Sequence, residues 1–264
     1  MKRQAVMLCA LSMGWITTLV GDGVSPPKGQ EVVSKKSVED RIKEARIFVS
    51  QITQDNKEVL NLVSALEKDL LKAYREGALD DAEFDLILEG MEFASDRHKE
   101  QTRKNKEKSP YITHPLLVTR ILLEQGHVGD ARVIVASLLH DTVRDGVATQ
   151  EEIEKRFGSV VSKYVAELSE DKDVPRTERK RRQILDATHQ SAGAAQIRLA
   201  DQLCNLQELR LNPPEDWTRA RVDEYYQWAQ TVIDRLPPSN NELKKAASDL
   251  ISEYWHEQEA TTKH

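Results

Sequence analysis

The sequence predicts an all-α fold, and three observations lead there. No stretch of its 264 residues sustains the period-two alternation, bounded by hairpin turns, that a half-buried strand requires. Apolar residues instead recur three and four apart, with Gly, Pro and capping residues punctuating the periods. One run, from Asp130 to Val143, is apolar nearly all round (Val133, Ile134, Val135, Ala136, Leu138, Leu139), which marks a helix at the buried centre of a helical domain.

Taken from the start, residues 1–22 differ from everything after them. Lys2 and Arg3 precede a moderately apolar run from Ala5 to Val20, and Gly21-Asp22-Gly23 follows, the layout of a signal peptide or N-terminal anchor. The run is short for a membrane span. Residues 23–36 read as a polar linker with Pro26-Pro27. A long helix is expected over 37–77, opened by Ser37 with Asp40 in the capping-box position. Its apolar residues, Ile42 through Ala73, keep a 3–4 spacing for about five heptads. Asn56 falls at an a position among Ile42, Val49 and Val63, a combination that favours a parallel coiled-coil homodimer through 37–76. Arg41 and Arg46 would oppose one another across such a pair, and Phe48, Leu60 and Leu62 widen the stripe. A long helix or helical hairpin folded back on the domain therefore fits the pattern equally well.

Gly77 and Asp80-Asp81 end that segment, and residues 82–258 read as one helical domain. Helices are expected over 82–103, from Pro115 to Gly126, and through the buried run. Thr149 with Glu152 caps a short helix that stops at Gly158. Further helices are expected over 159–169, 176–188, 194–210, 215–235 and 240–257.

The buried run closes on Leu138-Leu139-His140-Asp141-Thr142-Val143-Arg144-Asp145, and a burial-prone Asp beside an imidazole needs partners. His114, in Tyr111-Ile112-Thr113-His114-Pro115, and Asp201, the one acidic residue of an otherwise largely apolar helix, are the best placed candidates. Two imidazoles and two carboxylates make a mixed N/O set suited to Mn, Fe or Zn. Hydrogen-bonded core polar residues would satisfy the same pattern. A net charge of −6 argues against non-specific nucleic-acid binding, so any anion site depends on local basic clusters: Arg103-Lys104 with Lys106 and Lys108, and Arg176 to Arg182. Cys9 and Cys204 are too few for a disulfide framework.

From about Phe93 to Trp228 the chain resembles the hydrolase domain of the RelA/SpoT alarmone enzymes, and among them the small stand-alone hydrolases. The resemblance rests on Phe93-Ala94 with His98, the Tyr111–Pro115 and Leu138–Val143 motifs, and Phe157-Gly158. It continues through Pro175 with Glu178–Arg181, Leu199-Ala200-Asp201 with Asn205-Leu206, and Arg221-Val222 with Glu224-Tyr225. It implies an HD-domain helical bundle that hydrolyses the 3′-pyrophosphate of (p)ppGpp, with removal of a phosphate from NADPH as an associated activity. It also implies manganese, or another divalent ion, held by His114, His140, Asp141 and Asp201. A guanine nucleotide alarmone or related phosphorylated nucleotide would be lined by Arg103, Lys104, Arg176, Asn205, Arg221 and Tyr225. His98, His127, His189, His256 and His264 are left as structural or surface residues. Such a substrate places the domain in the cytoplasm, whereas the N-terminus points to export or anchoring.

One position departs from the family. A glutamate is expected before Asp145, and Arg144 stands there. An arginine stays protonated and cannot take a proton from water. The swap changes the local charge by two units, and a unit pair at about 4 Å is worth on the order of 4 kcal/mol near a surface. Asp145 is then the surviving acid/base, and Arg144 favours phosphate. Two alternatives accompany the hydrolase: a catalytically impaired nucleotide-binding protein with Arg144 as phosphate clamp, and an interaction protein working through the coiled coil.

Overall fold

Caps and turn residues set the element order. The structure, a computed structural model, describes residues 36–170 and 172–262. The expected signal segment 1–22 and the linker through residue 35 lie outside the described residues.

Among the described residues ten α-helices follow one another: α1 Val38–Ile52, α2 Lys57–Arg75, α3 Asp81–His98, α4 Thr113–Glu124, α5 Ala131–Leu139, α6 Gln150–Leu168, α7 Arg176–Asp186, α8 Ala192–Leu211, α9 Arg219–Arg235 and α10 Asn241–Thr262. A 3-10 turn, Ala187–His189, separates α7 from α8. No strand occurs among the described residues beyond one isolated bridge, Thr102 to Pro110. None of their helices is long and apolar enough to cross a membrane. Local chemistry fixes the boundaries. Asp80 and Glu83 close a reciprocal capping box on α3, and Thr149 caps α6 through the Glu152 amide. Gly158 breaks the helical path of α6 at φ 85° and ψ 166°, backbone that favours glycine, so the two helices expected on either side of it are both present and meet there at a kink.

The continuous helix expected over 37–77 is two helices. Gln54 and Asp55 adopt left-handed backbone at φ 52° and 57°, and Asn56 sits outside any helical interface. Its side chain accepts from the Val59 amide and caps α2. Thr53-Gln54-Asp55-Asn56 is thus a turn of polar residues, two of which, Asp and Asn, tolerate such backbone. The hairpin folds back, α1 against α3 and α2 against α4. Ile42, Ala45, Val49, Val59, Val63, Leu66 and Leu70 are buried in the chain's own core, so the stripe that would seat a second copy is already covered. Arg41 pairs with Asp81 and Asp85 on α3, and Arg46 with the buried Glu67 on α2. From Lys36 onward the chain is one compact unit.

Helix α5 is the centre. Ala131 and every residue from Val133 to Leu139 are buried, as a helix apolar on all sides demands. It packs against α3, α4, α6 and α8, and α8 in turn against α10. The ends of α4 and α5 and the middle of α8 meet on one side of this core.

Candidate active site

Three pieces of backbone bring the polar residues together. Pro115 lies in the first turn of α4, where a missing amide is harmless, and the Thr113 hydroxyl bonds the Pro110 carbonyl at 2.8 Å; between them is His114. Helix α5 ends at His140, and a tight turn follows in which the Asp145 amide donates to the Asp141 carbonyl at 2.8 Å. Helix α8 comes close because its first turns are small. A Cβ on Gly193 would lie 2.5 Å from the Tyr164 ring, so only glycine permits that approach.

His114, His140, Asp141 and Asp201 are all buried. Ligand atoms of His114, His140 and Asp201 lie within 4.8 Å of one another. His114 Nε2 is 3.2 Å from Asp201 Oδ1 and 3.8 Å from Asp141 Oδ2. His140 Nε2 is 3.3 Å from Asp141 Oδ1 and 3.9 Å from Asp201 Oδ1. The His140 Nδ1–H donates to the Ser137 carbonyl at 2.7 Å, which turns the lone pair of Nε2 toward the carboxylates. That atom is buried and has no hydrogen-bond partner among the described residues.

The protonation states suit a cation. Burial, with Arg103 nearby, lowers the pKa of His114 and favours the neutral ring. Burial alone would raise both carboxyls, but Arg144 and the two imidazoles hold Asp141 well below the ordinary range. His114 and His140 likewise bring Asp201 down to about 2. A neutral His114 beside ionised carboxylates is what a divalent ion needs, and the orphaned His140 nitrogen offers it a ligand, so the residues fit a metal. Cys204 Sγ lies 3.6 Å from His114 Nδ1, and burial pushes its thiol well up.

A second cluster adjoins the first. Asn205 donates to Asp201 at 2.7 Å and accepts from Arg103 at 3.4 Å, while Arg103 also bonds Glu208 and covers the Tyr111 ring. In a further group Tyr225 meets Trp228 edge to face at 5.1 Å and lies tilted against Trp217 at 5.8 Å between centroids. Arg221 lies 4.4 Å and Arg176 5.5 Å from the Trp217 ring, and Lys180 lies 4.8 Å from that of Trp228. Burial pushes the Tyr225 phenol up, and the nearby Asp201 charge adds to this.

Of the twelve residues singled out from sequence, hydrogen bonds and ion pairs join Arg103, His114, His140, Asp141, Arg144, Asp201 and Asn205, while Arg176, Arg221 and Tyr225 gather at Trp217. Lys104 is exposed on the loop beside Arg103. Asp145 lies at the rim, 3.3 Å from Arg144 Nε and 3.7 Å from Lys172 Nζ. Several neighbours were missed. Tyr111 donates to Asp141 Oδ2, and His98, left as structural, is buried against the Tyr111 ring at 4.8 Å. Both belong to motifs that carried the resemblance, which was the available signal. Lys180 was readable only as one charge of the basic cluster from Arg176 to Arg182, and Trp228 gave no signal, because its pairing with Lys180 joins two helices 48 residues apart.

The chain matches known proteins in family pattern, in sequence and in fold. The HD domain family pattern matches residues 90–227. The guanosine-3′,5′-bis(diphosphate) 3′-pyrophosphohydrolase MESH1 of Xenopus tropicalis is 48% identical over 159 residues, 60% of this chain and 89% of that protein. Its Homo sapiens counterpart is 42% identical over 167 residues, 63% and 93% of the two chains. A solved metazoan ortholog of SpoT, described as hydrolysing ppGpp, superposes with a TM-score of 0.62 at 37% identity, over 64% of this chain and 95% of that one.

Proposed function

The chain belongs to the HD domain family, and from that premise we propose that it is a metal-dependent hydrolase removing the 3′-pyrophosphate of (p)ppGpp. The observation that carries this reading is His140, a buried imidazole whose Nδ1–H is committed to a backbone carbonyl and whose Nε2 faces two carboxylates with nothing to bond. A buried polar atom without a partner is costly, and a cation held by His114, His140, Asp141 and Asp201 answers it. Manganese is the ion we assign to this mixed N/O set. When bound, it supplies a nucleophile near neutral pH and polarises a phosphoryl oxygen.

The chain's own residues do the rest. Trp217, Tyr225 and Trp228 offer flat faces to base or ribose, while Arg176, Lys180 and Arg221 offer charge to its phosphates. Arg103 and Asn205 link that wall to Asp201 and orient the 3′ side toward the imidazoles. Asp145 is the rim carboxylate that accepts the proton of the attacking water. The water oxygen bonds to the phosphorus attached to O3′, the bond from that phosphorus to O3′ breaks with its electron pair going to O3′, and O3′ takes up the proton from Asp145, so that pyrophosphate and a nucleotide with a free 3′-hydroxyl are released.

Pyrophosphate release from ppGpp by the full chain, with Mn²⁺, with Mg²⁺ and after chelation, tests this beside Asp201→Asn. Release that needs the ion and vanishes in the variant is expected. No release under any of these conditions would refute the hydrolase.

A further inference from the structure

Arg144 lies inside the cluster that the preceding reading gives to a metal. Its Nη1 is 2.6 Å from Asp141 Oδ1, and its Nη2 donates to the Tyr111 hydroxyl at 2.8 Å. Its Nε is 3.3 Å from Asp145 Oδ1. The Tyr111 hydroxyl donates in turn to the other Asp141 oxygen. Both oxygens of Asp141 are therefore engaged, one of them by a cation, whereas His114, His140 and Asp201 gather without it. A divalent ion drawing on Asp141 would share that carboxylate with a guanidinium, and like charges so close in a buried site repel. The Arg144 side chain is 31% exposed, so it has an open side to turn toward. Lys172 Nζ is 3.7 Å from the same Asp145 oxygen, so this carboxylate meets two cations. A guanidinium fork matches a phosphate as well as it matches a carboxylate.

We propose that Arg144 is an internal counter-cation for Asp141, exchanging that carboxylate for a phosphate of the incoming ligand, so that metal and phosphate bind this site cooperatively. The proposal rests on the metal-hydrolase reading and adds an order of events to it: the phosphate draws Arg144 off, and Asp141 turns to the ion. Coupling of this kind is reciprocal, so the ion must also tighten phosphate binding.

Manganese binding to the full chain, read from the electron paramagnetic resonance signal of the free ion, tests it with and without orthophosphate, a weak chelator of that ion. The unaltered protein should bind Mn²⁺ weakly alone and on the order of tenfold more tightly with orthophosphate, within the usual range of coupling between sites. Arg144→Gln should bind Mn²⁺ at least as tightly without phosphate and gain nothing from adding it. Arg144→Lys, which keeps the charge on a straight chain, should retain part of the coupling and shows whether the glutamine variant is merely damaged. Equal Mn²⁺ affinity in the unaltered and glutamine proteins, or an equal gain from phosphate in both, would overturn the proposal while leaving the metal site standing. Absence of Mn²⁺ binding from every variant would overturn both.

Discussion

Replacing Arg46 by methionine removes the charge that joins the two N-terminal helices while keeping most of the apolar stem. The Glu67 side chain is 2% exposed, and its carboxylate meets Arg46 Nε at 2.9 and 3.1 Å and Nη2 besides. Breaking a buried pair by deleting one partner costs ~3–5 kcal/mol, and because the Arg46 side chain is 49% exposed the lower end applies, about 3 kcal/mol. In a chain of this size each kcal/mol moves the midpoint by ~2–4 °C, so a fall of about 6–12 °C is expected. Burial pushes the Glu67 carboxyl up against the pull of Arg46. A carboxyl whose folded pKa lies above its unfolded value costs stability while ionised, and that stability returns as pH falls through the folded value. Without Arg46 the folded pKa rises further, so the deficit should narrow on acidification toward the ordinary glutamate range near ~4.3. Thermal unfolding at pH 7.5 and pH 5, with Glu67→Gln and the double variant completing a cycle, measures this. A deficit under about 1 kcal/mol, far below the buried-pair range, or one that does not narrow at pH 5, would refute the view that this pair ties α1 to α2.

Asp201→Asn should abolish Mn²⁺ binding by calorimetry as well as turnover, and ion binding at the unaltered level would remove Asp201 from the ligand set. Trp217→Leu deletes the ring under Arg176 and Arg221; two such contacts at ~0.5–1 kcal/mol each predict a KM for ppGpp raised roughly tenfold at nearly constant kcat. A fall in kcat at unchanged KM would contradict the binding role. Asn56→Ala removes the cap of α2 and should cost about 1 kcal/mol of stability without altering the mass measured by light scattering, whereas a change of oligomeric state would revive the interhelical role for Asn56.

Much of this architecture was legible because its signals are local. The Thr149 cap with Glu152, the glycine at 158 and the all-apolar run to Leu139 each fix an element with neighbours a few residues away. His114, His140, Asp141 and Asp201 were readable as polar intrusions in apolar helices. The turn at Gln54-Asp55 was not, because apolar spacing records which face is buried and not whether the chain continues. Both arms of a hairpin bury the same kind of stripe on one core, so the heptads survived the break. Tyr111 and Trp228 escaped for a different reason: their partners Asp141 and Lys180 are 30 and 48 residues distant.

The N-terminal hairpin also decides how this protein can be handled. The matched HD segment begins at residue 90, and cutting there would remove Val59, Val63, Leu66 and Leu70 from the wall they line, together with the edge contact of Tyr74 on Phe84 and the Asp69 partner of Arg120. A fragment trimmed to that boundary would carry a bare greasy flank on α4, the helix that bears His114, and would clump or sag there. Recombinant versions should therefore begin before Ser37, and a poorly behaved shorter one would speak of lost upholstery rather than of chemistry the site lacks.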